Sequence, residues 1–179
     1  SILFLSTPHG GPKSADFLRS LDHVAYKIGS GDLTNLPFLR HVAAFGRPMI
    51  VSTGMATLDE VREAVTCIED VGNNQIVLLH CTTNYPCPSE EANIRMLQNL
   101  AENFPYPVGY SDNSHYPLYS RVAVALGACM IEKHFTLDRT LPGPDHRASC
   151  EPYEFRLMVE DVRLIPVILG NSEKQPTES

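Results

Sequence analysis

The feature that most constrains this chain's fold is a regular alternation of short apolar runs with segments of helical periodicity. Six runs are rich in β-branched residues and almost continuously hydrophobic, which is typical of strands buried on both faces. They cover residues 2–6, 24–29, 48–52, 75–81, 106–111 and 129–134. A strand followed by a helix, repeated along the chain, predicts an α/β protein with a parallel sheet covered by helices.

The segments between the runs carry helix signals. The clearest covers 57–71, where Thr57 and Glu60 have the spacing of a capping box and Gly72 ends the pattern. Pro152 suits the start of the last helix. The other predicted helices cover about 13–21, 34–45, 89–103, 117–127 and 151–168.

The strand ends help to choose between an open doubly wound sheet and a (β/α)8 barrel. Each run finishes in polar or ionisable residues. They are Ser6, Thr7, Lys27, Ser30, Ser52, Thr53, His80, Cys81, Thr82, Ser111, Asp112, Lys133 and His134. In a barrel the ends of all strands converge on one mouth, whereas an open sheet spreads them along an edge. Six polar ends therefore favour the barrel.

Composition narrows the class of protein. The chain has 179 residues, of which 43% are apolar and 20% charged, as in a globular domain. Its net charge of −7 argues against a nucleic-acid surface. No run approaches the roughly 18 apolar residues of a membrane span and the first residues lack signal-peptide features, so we expect a cytoplasmic location. The five scattered cysteines are interpreted as reduced thiols.

Several motifs resemble, in order and spacing, those of the sialic acid synthase family, which includes N-acetylneuraminate, legionaminate and pseudaminate synthases. The motifs are "FLSTP", "AYKIGSGDLTN", "VSTGMATLDEV", "LLHCTTNYPCP", "VGYSDN" and "IEKHFTLDRTLPGPDHRAS". The resemblance implies a TIM (β/α)8 barrel followed by a small antifreeze-like domain. On this basis residues 1–169 hold strands three to eight of the barrel with their helices, and 170–179 begin a linker to an absent C-terminal domain. A homodimer is expected for the full-length protein.

The activity that the resemblance implies is a condensation of phosphoenolpyruvate with an N-acetylated amino sugar similar to N-acetylmannosamine, which gives a nonulosonic (sialic) acid and phosphate. The enzyme would be a transferase that forms a carbon–carbon bond, although the piece alone need not be active. A divalent cation, Mn²⁺ or Mg²⁺, would polarise the sugar aldehyde, and a polar cradle would neutralise phosphate and carboxylate.

The family pattern places the phosphoenolpyruvate contacts at Thr7, Lys27, Ser30, Ser52 and Ser111. Strand alternation puts Lys27 on the same face as Ala25 and Gly29, so we expect its side chain to point into the barrel. A buried ammonium needs an anion, which suits a substrate phosphate. The alternative is a structural ion pair with Glu132, which should also face inward.

The metal site is predicted from His134, which matches one of two family histidines and, with Lys27, is a candidate catalytic residue. Where the family commonly has a second histidine, this chain has Asn113, with a histidine only at His115. Either the Asn113 amide oxygen or the His115 imidazole would complete the site. No nucleophilic role is predicted for His80, Cys81 or Cys87.

The amino sugar is expected to contact Asp32, Tyr85 and Asp145, which match family positions. Pro142 and Pro144 restrict the loop that carries Asp145, which lowers the entropy lost on presenting it to hydroxyl groups. An ordinary rigid turn is the alternative for this loop.

Two other functions remain open from the residues. One is another phosphoenolpyruvate-dependent synthase of 3-deoxy-2-keto sugar acids, which would need extra basic residues for a second phosphate. The chain has 14 basic residues, and they form no cluster in the sequence. The other is a non-catalytic remnant that binds sugars.

Overall fold

The computed structural model describes residues 11–176. Within them lie five strands, β1 (Tyr26–Ile28), β2 (Met49–Ser52), β3 (Ile76–Cys81), β4 (Val108–Asp112) and β5 (Ile131–Lys133). The helices are α1 (Pro12–Ser20), α2 (Leu36–Ala43), α3 (Leu58–Glu69), α4 (Met96–Asn103), α5 (Leu118–Ala125) and α6 (Pro152–Leu169). Five of the six predicted strands are confirmed, and the first, at 2–6, lies outside the described residues together with Thr7.

The sheet has its strands in sequential order, and every neighbouring pair is parallel. The predicted parallel α/β class is therefore confirmed. A doubly wound sheet reverses its strand order at a switch point, and no reversal occurs among these five strands. Winding in one direction is what a (β/α)8 barrel requires of consecutive strands.

The two faces of the sheet bury different clusters. Tyr26, Ile28 and Leu78 pack against the helices in the larger apolar core. Ala25, Ile50 and Leu79 are each adjacent in sequence to a residue of that core, and they form a smaller cluster on the opposite face. Val77 and Met130 pack beside this smaller cluster. Because side chains alternate along a strand, this smaller cluster defines the inner face of the sheet.

Local sequence accounts for the helix ends. The predicted capping box of α3 is present, with Thr57 N donating to Glu60 Oε2 at 2.7 Å and Glu60 N to Thr57 Oγ1 at 3.3 Å. The predicted helix at 89–103 is instead a 3-10 turn at Ser89–Glu91 followed by α4. Asn93 between them has a φ of 39°, which a continuous right-handed helix cannot contain. Among residues 11–176, no helix is both long and apolar enough to cross a membrane.

Candidate active site

A polar cluster lies on the inner face, on strands β1, β2, β4 and β5 of the sheet. It consists of Lys27, Ser52, Ser111 and Glu132, which we call the Lys27 cluster. Lys27 Nζ donates to Ser52 Oγ and to the Ile28 carbonyl, both at 2.8 Å. Ser111 Oγ donates to Glu132 Oε1 at 2.6 Å, and the same oxygen lies 3.6 Å from Lys27 Nζ. The structure thus brings together three of the predicted phosphoenolpyruvate contacts.

The charge of Lys27 is held in a poorly hydrated place. The residue is 5% exposed, and burial lowers the pKa of its ammonium, although the Glu132 carboxylate partly opposes that shift. The side chain of Glu132 is 29% exposed, so water reaches this end of the pair. The ion pair considered as the alternative for Lys27 is present.

Ser30, in the turn after β1, lies beside Cys81, whose thiol contributes to the electrostatic surroundings of Lys27. Its Oγ accepts a hydrogen bond from Gly54 N at 3.0 Å and lies 3.0 Å from Cys81 Sγ. A Cβ at Gly54 would come within 2.8 Å of Ser30 Oγ, Cys81 Sγ and Thr83 Cγ2. Only glycine lets the backbone approach Ser30 this closely.

A second group of predicted residues surrounds Tyr85, beside the strand ends. The Tyr85 and His134 rings meet edge to face with centroids 5.3 Å apart. Burial raises the pKa of the Tyr85 phenol, Cys81, Glu132 and Asp145 raise it further by smaller amounts, and a hydrogen bond with the Asn113 amide opposes the shift. These contributions place Tyr85 in the same neighbourhood as the metal candidates and the Lys27 cluster.

Asn113 and His115 have different surroundings. Asn113 is buried, its Nδ2 donates to the Thr82 carbonyl at 2.8 Å, and its Oδ1 has no hydrogen-bond partner within residues 11–176. The His115 ring is at the surface, edge to face with Tyr116 at 6.4 Å. Of the two candidates for a second metal ligand, Asn113 is therefore the one with a buried side-chain oxygen, and His115 is the one at the surface.

The remaining sugar candidates lie on loops. Asp32 is half-buried in the 3-10 turn Ser30–Asp32, directly after β1. Asp145 is exposed on the loop between β5 and α6. Asp145 contributes to the raised pKa of the Tyr85 phenol, and Asp32 lies in the same turn as Ser30.

The expectation that all polar strand ends converge on one mouth is wrong for His80, Asp112 and Lys133. These residues follow the outer alternation and are directed toward the helices. His80 Nε2 bonds to the Ala92 carbonyl at 2.9 Å, and burial lowers the pKa of its imidazole. Lys133 Nζ lies 3.2 Å from Asp112 Oδ1, with side chains 1% and 0% exposed. Neighbouring residues at a strand end point to opposite faces, so only alternate ones reach the mouth.

Sequence reasoning assigned no site role to Glu132, Gly54 or Cys81. Glu132 was predicted only as an inward-facing ion-pair partner of Lys27, and the structure has that pair at 3.6 Å. The close approach at Gly54 depends on three segments that are distant in sequence, and no local pattern indicates it.

Comparison with known proteins places the chain in a family. The NeuB family model matches residues 1–174. The N,N'-diacetyllegionaminic acid synthase of Legionella pneumophila is 45% identical over 182 residues, 99% of this chain and 51% of that protein. The chain thus spans about half the length of that relative.

Solved structures of other proteins share this fold. The spore coat polysaccharide biosynthesis protein SpsE of Bacillus subtilis has a TM-score of 0.91 at 41% identity, covering 99% of this chain and 50% of that one. An N-acetylneuraminic acid synthetase of Leptospira borgpetersenii, in complex with citrate, also has a TM-score of 0.91, at 36% identity and covering 99% and 61%. With a family match over nearly its whole length and these relatives, the chain belongs to the NeuB family.

Proposed function

We propose that the full-length protein condenses phosphoenolpyruvate with an N-acetylated amino sugar such as N-acetylmannosamine to form a nonulosonic acid. The phosphoenolpyruvate C3 would form a bond to the aldehyde carbon, water would add at C2, and phosphate would leave to give the 2-keto acid. The observation that carries this proposal is the Lys27 cluster, a buried cation with hydroxyl donors at the ends of parallel strands. The similarity to an N,N'-diacetyllegionaminic acid synthase and an N-acetylneuraminic acid synthetase favours an amino sugar over other acceptors.

The Lys27 cluster would hold the phosphate and carboxylate of phosphoenolpyruvate. In this role the Lys27 ammonium neutralises charge, while the hydroxyls of Ser30, Ser52 and Ser111 donate hydrogen bonds. Thr7 stays a predicted contact outside the described residues. Because these donors are already fixed on strand ends and turns, binding would require little reorganisation.

The metal candidates fit a divalent cation in part. Asn113 presents a buried amide oxygen without a hydrogen-bond partner in the described part of the chain, and His134 is half-buried beside Tyr85. No three His, Cys, Asp or Glu side chains within residues 11–176 converge to hold a metal, so oxygen ligands from water or substrate would complete the set. Asn113 and His134 would hold Mn²⁺ or Mg²⁺, which supplies polarisation of the sugar aldehyde.

The amino sugar would lie between the metal candidates and the loop of Asp145. Tyr85, Asp32 and Asp145 offer hydrogen-bonding groups for its hydroxyls. A closed barrel, a linker in 170–179, a homodimer and a cytoplasmic location remain predictions for the full-length protein.

The test is phosphate release by the full-length protein with phosphoenolpyruvate and N-acetylmannosamine. We expect release only when both substrates and Mn²⁺ or Mg²⁺ are present, with a nonulosonic acid detected by mass spectrometry. Phosphate release from phosphoenolpyruvate that occurs with a phosphorylated aldose as acceptor, and does not occur with N-acetylmannosamine, would indicate the other class of 2-keto sugar acid synthase. Sugar binding without release under any of these conditions would indicate a non-catalytic remnant.

A further inference from the structure

We propose that Arg139 is a positioning residue that fixes Asp145 for binding of the amino sugar. This inference rests on the proposed function, because it assumes that Asp145 contacts the sugar. Arg139 and Asp145 belong to the same loop, which runs over 137–149 between β5 and α6. Arg139 connects that loop to the start of α6.

The contacts of Arg139 use most of its donors. Its Nη1 donates to Glu154 Oε1 at 3.2 Å, and its Nη2 donates to Glu154 Oε2. Its Nε donates to the Ser149 carbonyl at 2.8 Å, and its backbone N donates to Glu151 Oε1 at 2.9 Å. One side chain thus joins both ends of the loop to the first turn of α6.

Ser149 extends this connection to Asp145. Ser149 Oγ donates to the Asp145 carbonyl at 2.7 Å, and Ala148 N donates to the same carbonyl at 3.1 Å. Ser149 and Ala148 are buried, whereas the Asp145 residue is exposed. The backbone of Asp145 is therefore anchored while its carboxylate faces solvent, as a substrate contact requires.

The base of the loop is fixed independently of Arg139. Cys150 N donates to the His134 carbonyl at 2.8 Å, and Thr136 N donates to the Cys150 carbonyl at 3.0 Å. These bonds keep the His134 strand and the loop together when Arg139 is changed. Arg139 can thus affect Asp145 without removing the metal candidate from its place.

Arginine is needed here because of the shape of its donor group. The planar guanidinium binds the Glu154 carboxylate with two nitrogens while its third nitrogen reaches the Ser149 carbonyl. A lysine ammonium is a point charge that can pair with Glu154 but cannot reproduce this fork. Arg139→Lys therefore keeps the charge and removes the geometry.

The experiment measures steady-state kinetics of the full-length enzyme with N-acetylmannosamine and phosphoenolpyruvate. We expect Arg139→Lys and Ser149→Ala each to raise KM for the sugar about 10-fold or more, since small misplacement of a contact weakens productive binding strongly. The affinity for phosphoenolpyruvate, measured by calorimetry, should change less than about 2-fold because the Lys27 cluster is separate. Arg156→Ala is the control, since Arg156 pairs with Glu160 at the surface of α6, the helix that also carries Glu154.

A double substitution separates this inference from the proposed function. If Arg139 acts through Asp145, Arg139→Lys in an Asp145→Asn background should add no further increase in sugar KM. A merely structural role would instead lower kcat and thermal stability with sugar KM unchanged, which would overturn the positioning role. If Asp145→Asn leaves sugar KM unchanged, Asp145 is not a sugar contact and the inference fails, while phosphate release by the wild type still supports the proposed function.

Discussion

Ser111 and Lys27 both lie close to the same oxygen of one carboxylate, Glu132 Oε1. Ser111 Oγ donates to it at 2.6 Å, and Lys27 Nζ lies 3.6 Å away. Three strands therefore contribute to one hydrogen-bonded charge pair at the proposed phosphoenolpyruvate site. A phosphate that enters must compete with Glu132 for the same donors, so the ammonium of Lys27 should determine much of the affinity.

We expect Lys27→Met in the full-length protein to weaken phosphoenolpyruvate binding about 10- to 100-fold. This is the range that corresponds to the roughly 1.5–3 kcal/mol of a hydrogen bond to a charged group. Calorimetric titration measures it. The substitution also leaves Glu132 without its cation, so Lys27→Met/Glu132→Gln controls for stability, and it should still bind more weakly than the wild type because the ammonium is absent. Unchanged affinity in both variants would rule out Lys27 as the phosphate ligand.

The pH dependence of binding should report the protonation of Lys27. Because burial lowers the pKa of this ammonium below its usual 10.5, phosphoenolpyruvate affinity should fall as the pH rises through the lowered pKa. Stability responds in the opposite direction. The unfolded chain holds the proton more tightly, so this group's cost to folding is present below the folded pKa and disappears as the pH rises toward 10.5.

Calorimetry at increasing pH tests this assignment, with Lys27→Arg as the comparison. A guanidinium stays protonated throughout that range, so any affinity retained by Lys27→Arg should not decline at alkaline pH. A wild-type affinity that stays constant up to pH 10.5 would contradict the role of Lys27.

The backbone at Gly54 should tolerate no side chain. A Cβ there would lie 2.8 Å from Ser30 Oγ, Cys81 Sγ and Thr83 Cγ2, so we expect Gly54→Ala to cost about 1–3 kcal/mol of unfolding free energy. Gly31→Ala is the control, because a Cβ at Gly31 meets nothing within 4 Å. Urea denaturation compares the two variants. Equal midpoints would show that the site can relax around the added methyl group.

Patterns within one strand or at one helix start predict part of this fold and site, whereas contacts between segments distant in sequence do not follow from such patterns. Alternation within a strand predicts the inward direction of Lys27, and a three-residue spacing predicts the cap of Thr57 on α3. Polarity at a strand end does not by itself indicate a face of the sheet, and Asp112 and Lys133, expected at the mouth, instead pair on the outer face. The break before α4 depends on the positive φ of Asn93, which the hydrophobic periodicity of 89–103 does not indicate. The contacts of Arg139 span up to 15 residues of loop and helix, beyond what periodicity describes.

The buried pair of Asp112 and Lys133 should stabilise the fold without binding substrate. Asp112 also accepts hydrogen bonds from Ser114 Oγ and Ser120 Oγ, both at 2.6 Å. Lys133→Met would leave an unpaired buried carboxylate and should cost about 3–5 kcal/mol. Chemical denaturation measures the loss. Asp112→Asn/Lys133→Met removes both charges and should recover part of it, whereas no recovery would show that packing, rather than charge, is responsible.

The metal proposal is tested by substitutions at its two candidate ligands. In the full-length protein, His134→Ala should weaken Mn²⁺ binding by more than about 100-fold, beyond the 10- to 100-fold typical of losing an outer-shell partner. Asn113→His should strengthen it, because an imidazole is a better transition-metal donor than a neutral amide oxygen. Isothermal titration with Mn²⁺ measures both effects.

His115→Ala serves as the matched control for the metal site. Its ring lies at the surface against Tyr116, so its removal should leave Mn²⁺ affinity unchanged. If His115→Ala abolishes binding while Asn113→His has no effect, the second ligand is His115 and the loop after β4 must rearrange around the ion. If none of the three substitutions changes the titration, these residues do not hold a metal. Activity that persists in His134→Ala without added cation would then require the sugar aldehyde to be polarised by hydrogen-bond donors alone.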